Sequence, residues 1–161
     1  MSISHFRVSI SISGAGLSNS FLEMDKLPQA YNQTIKAIYL GIRVCEKKVI
    51  YHYEDYKIYD LFEYIPCQDL LNFCHPVALE ILRYDENNHT DYLDTLTAYF
   101  ANGKDSSTTA ATLHLHRNTV LYRIDRIAKL FKIDMSDGDL IFQLVLSMKI
   151  LNYMKLFKAP D

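Results

Sequence analysis

Between Thr108 and Phe131 the chain reads TTAATLHLHRNTVLYRIDRIAKLF, a stretch compatible with few local structures. Ser106 or Ser107 can cap a short helix that carries Thr109, Ala110 and Leu113, and a longer helix follows from about Arg117 to Phe131. A short helix with a small residue at its centre, a tight turn and a second helix describe a helix-turn-helix. Ala110 is the small residue that lets the two helices approach closely. At about 100° per residue, Val120, Ile124, Ile127 and Phe131 fall within about 60° of one another and form the buried stripe of the second helix. Asn118, Thr119, Tyr122, Arg126 and Lys129 lie on the other side, with Arg123 at the edge.

Charge singles out the same region. Residues 1–103 carry 8 basic and 13 acidic side chains, residues 104–132 carry 6 against 2, and the formal total of -2 hides this division. A basic segment inside an acidic protein is the footprint of a small face that meets phosphate. Charge alone leaves a solvated helix face open. The residue types favour DNA: cations suit phosphates or guanine edges, Asn suits adenine, and Thr suits backbone oxygens or a thymine methyl. A generic surface helix intersperses Glu with Lys, whereas from Arg117 to Lys129 the acidic residue is Asp125. His116 and Arg117, at the helix start, reach a groove first. His114 and His116 read as polar contacts rather than metal ligands.

Ahead of this segment, Val8, Ile10 and Ile12 alternate with serines and predict a half-buried strand ending at a Gly14-Ala15-Gly16 turn. A dinucleotide fingerprint would need a glycine where Asn19 stands, so these glycines read as a turn. Tyr31, Ile35, Ile38 and Ile42 recur at helical spacing from Leu27 to about Gly41, with Pro28 in the first turn, and Val49–Tyr53 reads as a second strand. Ile58, Leu61, Phe62 and Ile65 predict an amphipathic helix running up to Pro66. Residues 66–76 read as a connection containing the domain boundary; Cys67, Cys74 and His75 there are assigned to packing, since zinc needs a fourth ligand and tighter spacing. Beyond Pro76 the pattern is helical: a short helix Val77–Tyr84 broken by the polar run Asp85–Thr90, another ending at Asn102-Gly103, and a last one from Gly138 to about Phe157 capped by Asp137.

With 49% hydrophobic residues in 161, the chain can bury a real core, which excludes a disordered or disulfide-dependent scaffold. Three cysteines, Cys45, Cys67 and Cys74, fit reduced thiols. No apolar run is long enough to span a membrane and no signal peptide opens the chain, so a soluble cytoplasmic protein without membrane association is expected.

The string HLHRNTVLYRIDRIAKLFKID, preceded by TTAATL and by the more distant YDENNHTDYLDTLTAYF, resembles the C-terminal helix-turn-helix domain of the PucR/CdaR family of bacterial transcriptional regulators. The family pattern, His-Arg-Asn-Thr followed by Tyr-Arg, is matched by His116, Arg117, Asn118, Thr119, Tyr122 and Arg123. The resemblance covers about residues 76–157 and implies a Fis-type helix-turn-helix whose turn and recognition-helix residues contact DNA. The chain departs from it at His114 and at Lys132, where glycine is frequent. The first half resembles the closing strand-helix-strand of the degenerate GGDEF-like domain that precedes this module in CdaR-type regulators. The catalytic loop lies upstream of that point in active cyclases, so the chain is expected to be a short family member or a fragment.

The expected fold is mainly α, with a partial GGDEF-like α/β unit plus connecting helix over 1–66 and a DNA-binding helix-turn-helix domain over 76–157. The expected function is sequence-specific transcriptional regulation, with the helix of about 117–131 in the major groove of double-stranded DNA. His116, Arg117, Asn118, Thr119, Tyr122, Arg123, Arg126 and Lys129 are the expected contacts, with affinity from Arg123, Arg126 and Lys129 on phosphates. The alternative is a protein-interaction or ligand-sensing module using the same fold as a scaffold. No enzyme activity, metal or cofactor is expected, and no small-molecule effector can be named. A homodimer is expected on two grounds. Leu140, Ile141, Leu144, Val145, Met148, Leu151, Met154 and Leu156 spread around more of the last helix than one core requires, and the small N-terminal unit exposes strand edges.

Overall fold

The computed structural model describes residues 14–44 and 48–158, the side chains of 156–158 excepted. The expected strand at Val8–Ile12, Cys45 and the Leu156 side chain lie outside the described residues. The chain forms two compact units that divide between Tyr64 and Ile65. As expected, the architecture is mainly helical with a small sheet.

The first unit holds strand β1 (Ala15–Leu17), helix α1 (Leu27–Arg43), strand β2 (Ile50–His52) and helix α2 (Tyr53–Phe62). The strands pair in parallel, Gly16 opposite Tyr51, which requires the helical crossover that α1 supplies. Ala15 and Gly16 of the expected turn therefore belong to a strand. Its glycines serve close approach: a β-carbon on Gly16 would sit 2.2 Å from the Thr34 carbonyl oxygen of α1.

Helix α1 begins with Pro28 in its first turn, as the sequence predicts, but the stripe that marked it is not the face it buries. Ala30, Ala37, Leu40 and Gly41 are buried, while Tyr31, Ile35 and Ile42 are about half exposed or more. Gly41 makes a close approach to Tyr51: a β-carbon there would sit 2.2 Å from the ring.

The second strand is shorter than expected, because Tyr53 opens α2. That helix stops at Phe62, short of Pro66, and buries Tyr56, Tyr59, Asp60 and Phe62 while Leu61 stands in solvent. Asp60 is tolerated inside because its carboxylate accepts hydrogen bonds from the Lys36 ammonium and, at 2.5 Å, from the Tyr53 hydroxyl. The contact with Asp60 pushes the Lys36 ammonium upward, and burial together with that carboxylate pushes the Tyr53 hydroxyl up to about 12. The cluster ties α2 to α1.

The second unit holds α3 (Cys67–Leu70), a 3-10 turn (Leu71–Phe73), α4 (Pro76–Asn88), α5 (Tyr92–Ala101), α6 (Ser106–Leu113), α7 (Arg117–Leu130) and α8 (Gly138–Lys158). The connection expected at residues 66–76 is thus largely helical, with Leu70 and Cys74 buried; burial pushes the Cys74 thiol upward.

Helix α4 runs through the polar stretch expected to break it and ends at His89, in the left-handed region at φ 53°. Asp85, within that stretch, serves the next helix. Its two carboxylate oxygens accept from the backbone N–H groups of Tyr92 (2.9 Å) and Leu93 (2.8 Å), so a residue of α4 caps the N-terminus of α5. Helix α5 ends at Asn102, with Gly103 at φ 62°, as its sequence predicts.

The last helix carries the expected Asp137 cap, whose carboxylate accepts from the backbone of Asp139 and Leu140. Its wide apolar surface is only partly buried. Leu144, Met148, Ile150, Leu151 and Tyr153 are buried, and among the described α8 side chains the exposed large apolar one is Phe142. Of the residues that suggested a dimer, Leu144, Met148 and Leu151 are buried, while Leu140, Ile141, Val145 and Met154 keep part of their surface exposed.

Replacing Asp85 by Ala uncaps α5 while leaving the α4 backbone intact. The second unit should lose about 1–2 kcal/mol, read as a lower midpoint with unchanged slope in urea unfolding of the full chain. An unchanged midpoint would show that water replaces the cap at no cost.

Candidate nucleic-acid interface

Helix α6 is capped one residue ahead of the expected serines: the Asp105 carboxylate accepts from the Thr108 N–H at 2.7 Å, which holds its carboxyl below the usual range. Ser106 is buried instead, and its hydroxyl accepts from Arg117 Nε at 3.1 Å across the turn. Ala110 is buried between the helices, as close packing of α6 and α7 requires.

The turn is formed by His114, Leu115 and His116. His114 takes φ 53°, and the Leu115 N–H returns to the Ala110 carbonyl at 2.9 Å, a Schellman closure in which a left-handed residue ends the helix. Helix α7 ends the same way: Lys132 has φ 53° and the Ile133 N–H returns to the Ala128 carbonyl at 2.9 Å. The two positions where glycine is frequent in the resembling family are thus both left-handed here, occupied by side chains that pay for the conformation.

His116 starts α7. Its Nδ1 accepts from the Asn118 N–H at 3.2 Å, so in the neutral ring Nε2 carries the proton and points away from the cap. Val120, Ile124, Ile127 and Phe131 are buried, which is the predicted stripe. His116, Arg117, Asn118, Tyr122, Arg126 and Lys129 are exposed and Thr119 half-buried. Tyr122, Asp125, Arg126, Lys129 and Leu130 border a shallow groove of about 370 Å³.

The cations of this face differ in what holds them. Arg126 Nη1 donates to the Tyr122 hydroxyl at 3.1 Å, and hydrogen bonds to Tyr84 and Tyr122 push the guanidinium further upward. Lys129 pairs with Asp125 at 2.7 Å in an exposed i,i+4 arrangement, a weak tie. Arg117 keeps its Nη groups beyond the bond to Ser106. Arg123 does not join the others: its side chain is 24% exposed, Nη1 donates to the Thr95 hydroxyl at 3.1 Å, and Nη2 lies 3.6 Å from the Asp91 carboxylate, both on α5. Among the expected contacts, Arg123 is thus the one turned towards α5.

Sequence reasoning assigned no role to Tyr84, Asp85, Asp91 or Thr95. All four lie in YDENNHTDYLDTLTAYF, whose polar spacing carries no periodic signal because each acts on a helix other than its own. Among the described residues no group of three or more His, Cys, Asp or Glu could hold a metal, and no helix is long and apolar enough to cross a membrane.

His114→Gly and Lys132→Gly should each raise the stability of the second unit by about 1 kcal/mol, since glycine takes the left-handed region without strain. Thermal unfolding of the full chain checks this; a lowered midpoint would mean that the side chain's contacts outweigh the backbone strain.

Residues 92–150, from α5 into α8, match the family described as the PucR C-terminal helix-turn-helix domain. Over 137 residues the chain is 27% identical to the purine catabolism regulatory protein of Bacillus subtilis (strain 168), a match covering 84% of this chain and 25% of that protein. Over 138 residues it is 28% identical to the proline-responsive transcriptional activator PutR of the same organism, covering 84% of this chain and 34% of the relative. The chain therefore spans about a quarter to a third of the length of these curated relatives. No solved structure matches it. The segment carrying α6 and α7 is thus similar to a PucR C-terminal helix-turn-helix domain, and most of the chain is similar to proteins named as a regulatory protein and a transcriptional activator.

Proposed function

We propose that the chain is a sequence-specific DNA-binding transcriptional regulator, or the DNA-binding part of one, with α7 in the major groove. The observation that carries this reading is the exposed face of α7, where His116, Arg117, Asn118 and Thr119 stand at the helix start and Tyr122, Arg126 and Lys129 follow along it. The helix start supplies base readers: the Nε2–H of His116, the free Nη groups of Arg117, the Asn118 amide and the Thr119 hydroxyl and methyl. Arg126 and Lys129 supply phosphate contacts, and Arg126 is pre-oriented by the tyrosine it bonds. The relatives, named as a regulatory protein and a transcriptional activator, support the same class.

We read the first unit as the closing strand-helix-strand of a degenerate GGDEF-like domain, a reading supported by its parallel pair and crossover helix. The proposal includes a second copy of the chain, because paired helix-turn-helix modules read half-sites about 34 Å apart. It is supported by the partly exposed apolar side chains of α8 and by the small sheet, whose two short strands leave backbone groups to be paired.

Asn118→Ala and Thr119→Ala should each cost about 1–3 kcal/mol on a selected cognate duplex and relax preference at one base position. Lys129→Ala should weaken cognate and random duplex alike and lower the slope of log K against log salt by about one. Equal losses on both duplexes for all three variants would overturn the assignment of base readers. Binding insensitive to salt, or none, would favour the scaffold alternative.

Light scattering over a concentration series tests the second copy. A mass that rises to twice the chain is expected, and a monodisperse monomer at tens of micromolar would remove it.

A further inference from the structure

A basic residue next to a DNA-facing helix is ordinarily assigned to phosphate. Arg123 is placed for something else. Its guanidinium leaves α7 towards α5, where it meets the Thr95 hydroxyl at 3.1 Å and the Asp91 carboxylate at 3.6 Å. Thr95 is fully buried, and its hydroxyl accepts from Arg123 while donating to the Asp91 carbonyl at 2.6 Å, so the guanidinium bonds to a group that is itself fixed. Asp91 stands at the N-cap of α5 yet makes no side-chain capping bond, because Asp85 of α4 takes the first amides of that helix. The Asp91 carboxylate is thereby left to Arg123. Three side chains on two helices, with a fourth from α4 holding the anchor, define one orientation of α7 about its own axis.

We propose that Arg123 is a positioning residue: it struts the recognition helix against Asp91 and Thr95 of α5 and sets the angle at which the reading face is presented, without contacting DNA. This rests on the DNA-binding reading above. A strut affects base readout, which is sensitive to geometry, more than phosphate attraction, which is not. Turned to Asp91 and Thr95 rather than to a phosphate, its charge adds little to counterion release. Lys cannot replace it, since an ammonium lacks the planar fork that reaches hydroxyl and carboxylate together.

The test compares Arg123→Gln, Arg123→Lys, Asp91→Asn and the Gln/Asn double variant of the full chain on selected cognate and random duplexes, across a salt series. The strut predicts that each single variant lowers the cognate-to-random ratio by about three- to tenfold, that the double variant lowers it no further, and that the salt slope is unchanged in Arg123→Gln. A phosphate contact predicts the opposite pattern, and finding it would overturn the proposal: Arg123→Gln weakens both duplexes equally and lowers the slope by about one, Arg123→Lys binds as wild type, and Asp91→Asn, by freeing the arginine, tightens both.

Thermal unfolding without DNA separates this from the reading it rests on. Midpoint losses that are non-additive between Arg123→Gln and Asp91→Asn uphold the strut, and strictly additive ones sink it. A wild-type chain that binds no duplex sinks the DNA reading alone.

Discussion

The placement of α7 depends on the N-terminus of α5, and that terminus depends on one carboxylate seven residues before it. A helix start carries amides without intrahelical partners, and in a packed unit those amides need acceptors from elsewhere. Asp85 supplies them from α4 to Tyr92 and Leu93. The consequence reaches beyond capping, because α5 is the element on which α7 leans through Arg123. Tyr84, beside Asp85, extends the same contact region by stacking on Tyr92 and meeting Phe131 edge-on, each at 5.6 Å between ring centres. A polar stretch that looks like a break between helices therefore joins α4, α5 and α7.

The two ends of the helix-turn-helix show how backbone demands are met with unfavourable residues. His114 and Lys132 both adopt φ 53°, and both precede an N–H that returns to close its helix. Tight closure at each end fixes where α7 begins and stops, and through the Nδ1 of His116 it also fixes the tautomer presented at the start of the proposed reading face. Stability given up to left-handed side chains is small beside the packing of Val120, Ile124 and Ile127.

In the first unit, contact distance decides more than polarity. Gly16 and Gly41 allow backbone and ring to approach within van der Waals range, while the larger Tyr31, Ile35 and Ile42 of α1 stand outward. Asp60, charged and inward, is accepted since Lys36 and Tyr53 satisfy it.

Where local pattern and tertiary role coincide, the sequence alone was sufficient. The buried stripe of α7, Pro28 in the first turn of α1, the Asn102-Gly103 stop and the Asp137 cap each arise from interactions within a few residues, so periodicity and capping chemistry reveal them. The tertiary structure decided what involves elements far apart in the chain: the parallel strand at Ala15–Leu17, the face α1 buries, the side chains α8 buries and the turning of Arg123 to α5. The physical reason is common to all four. Which of several possible faces or partners a side chain takes is set by the shape and hydrogen-bonding needs of the neighbouring element, and residue type and spacing carry no record of that neighbour.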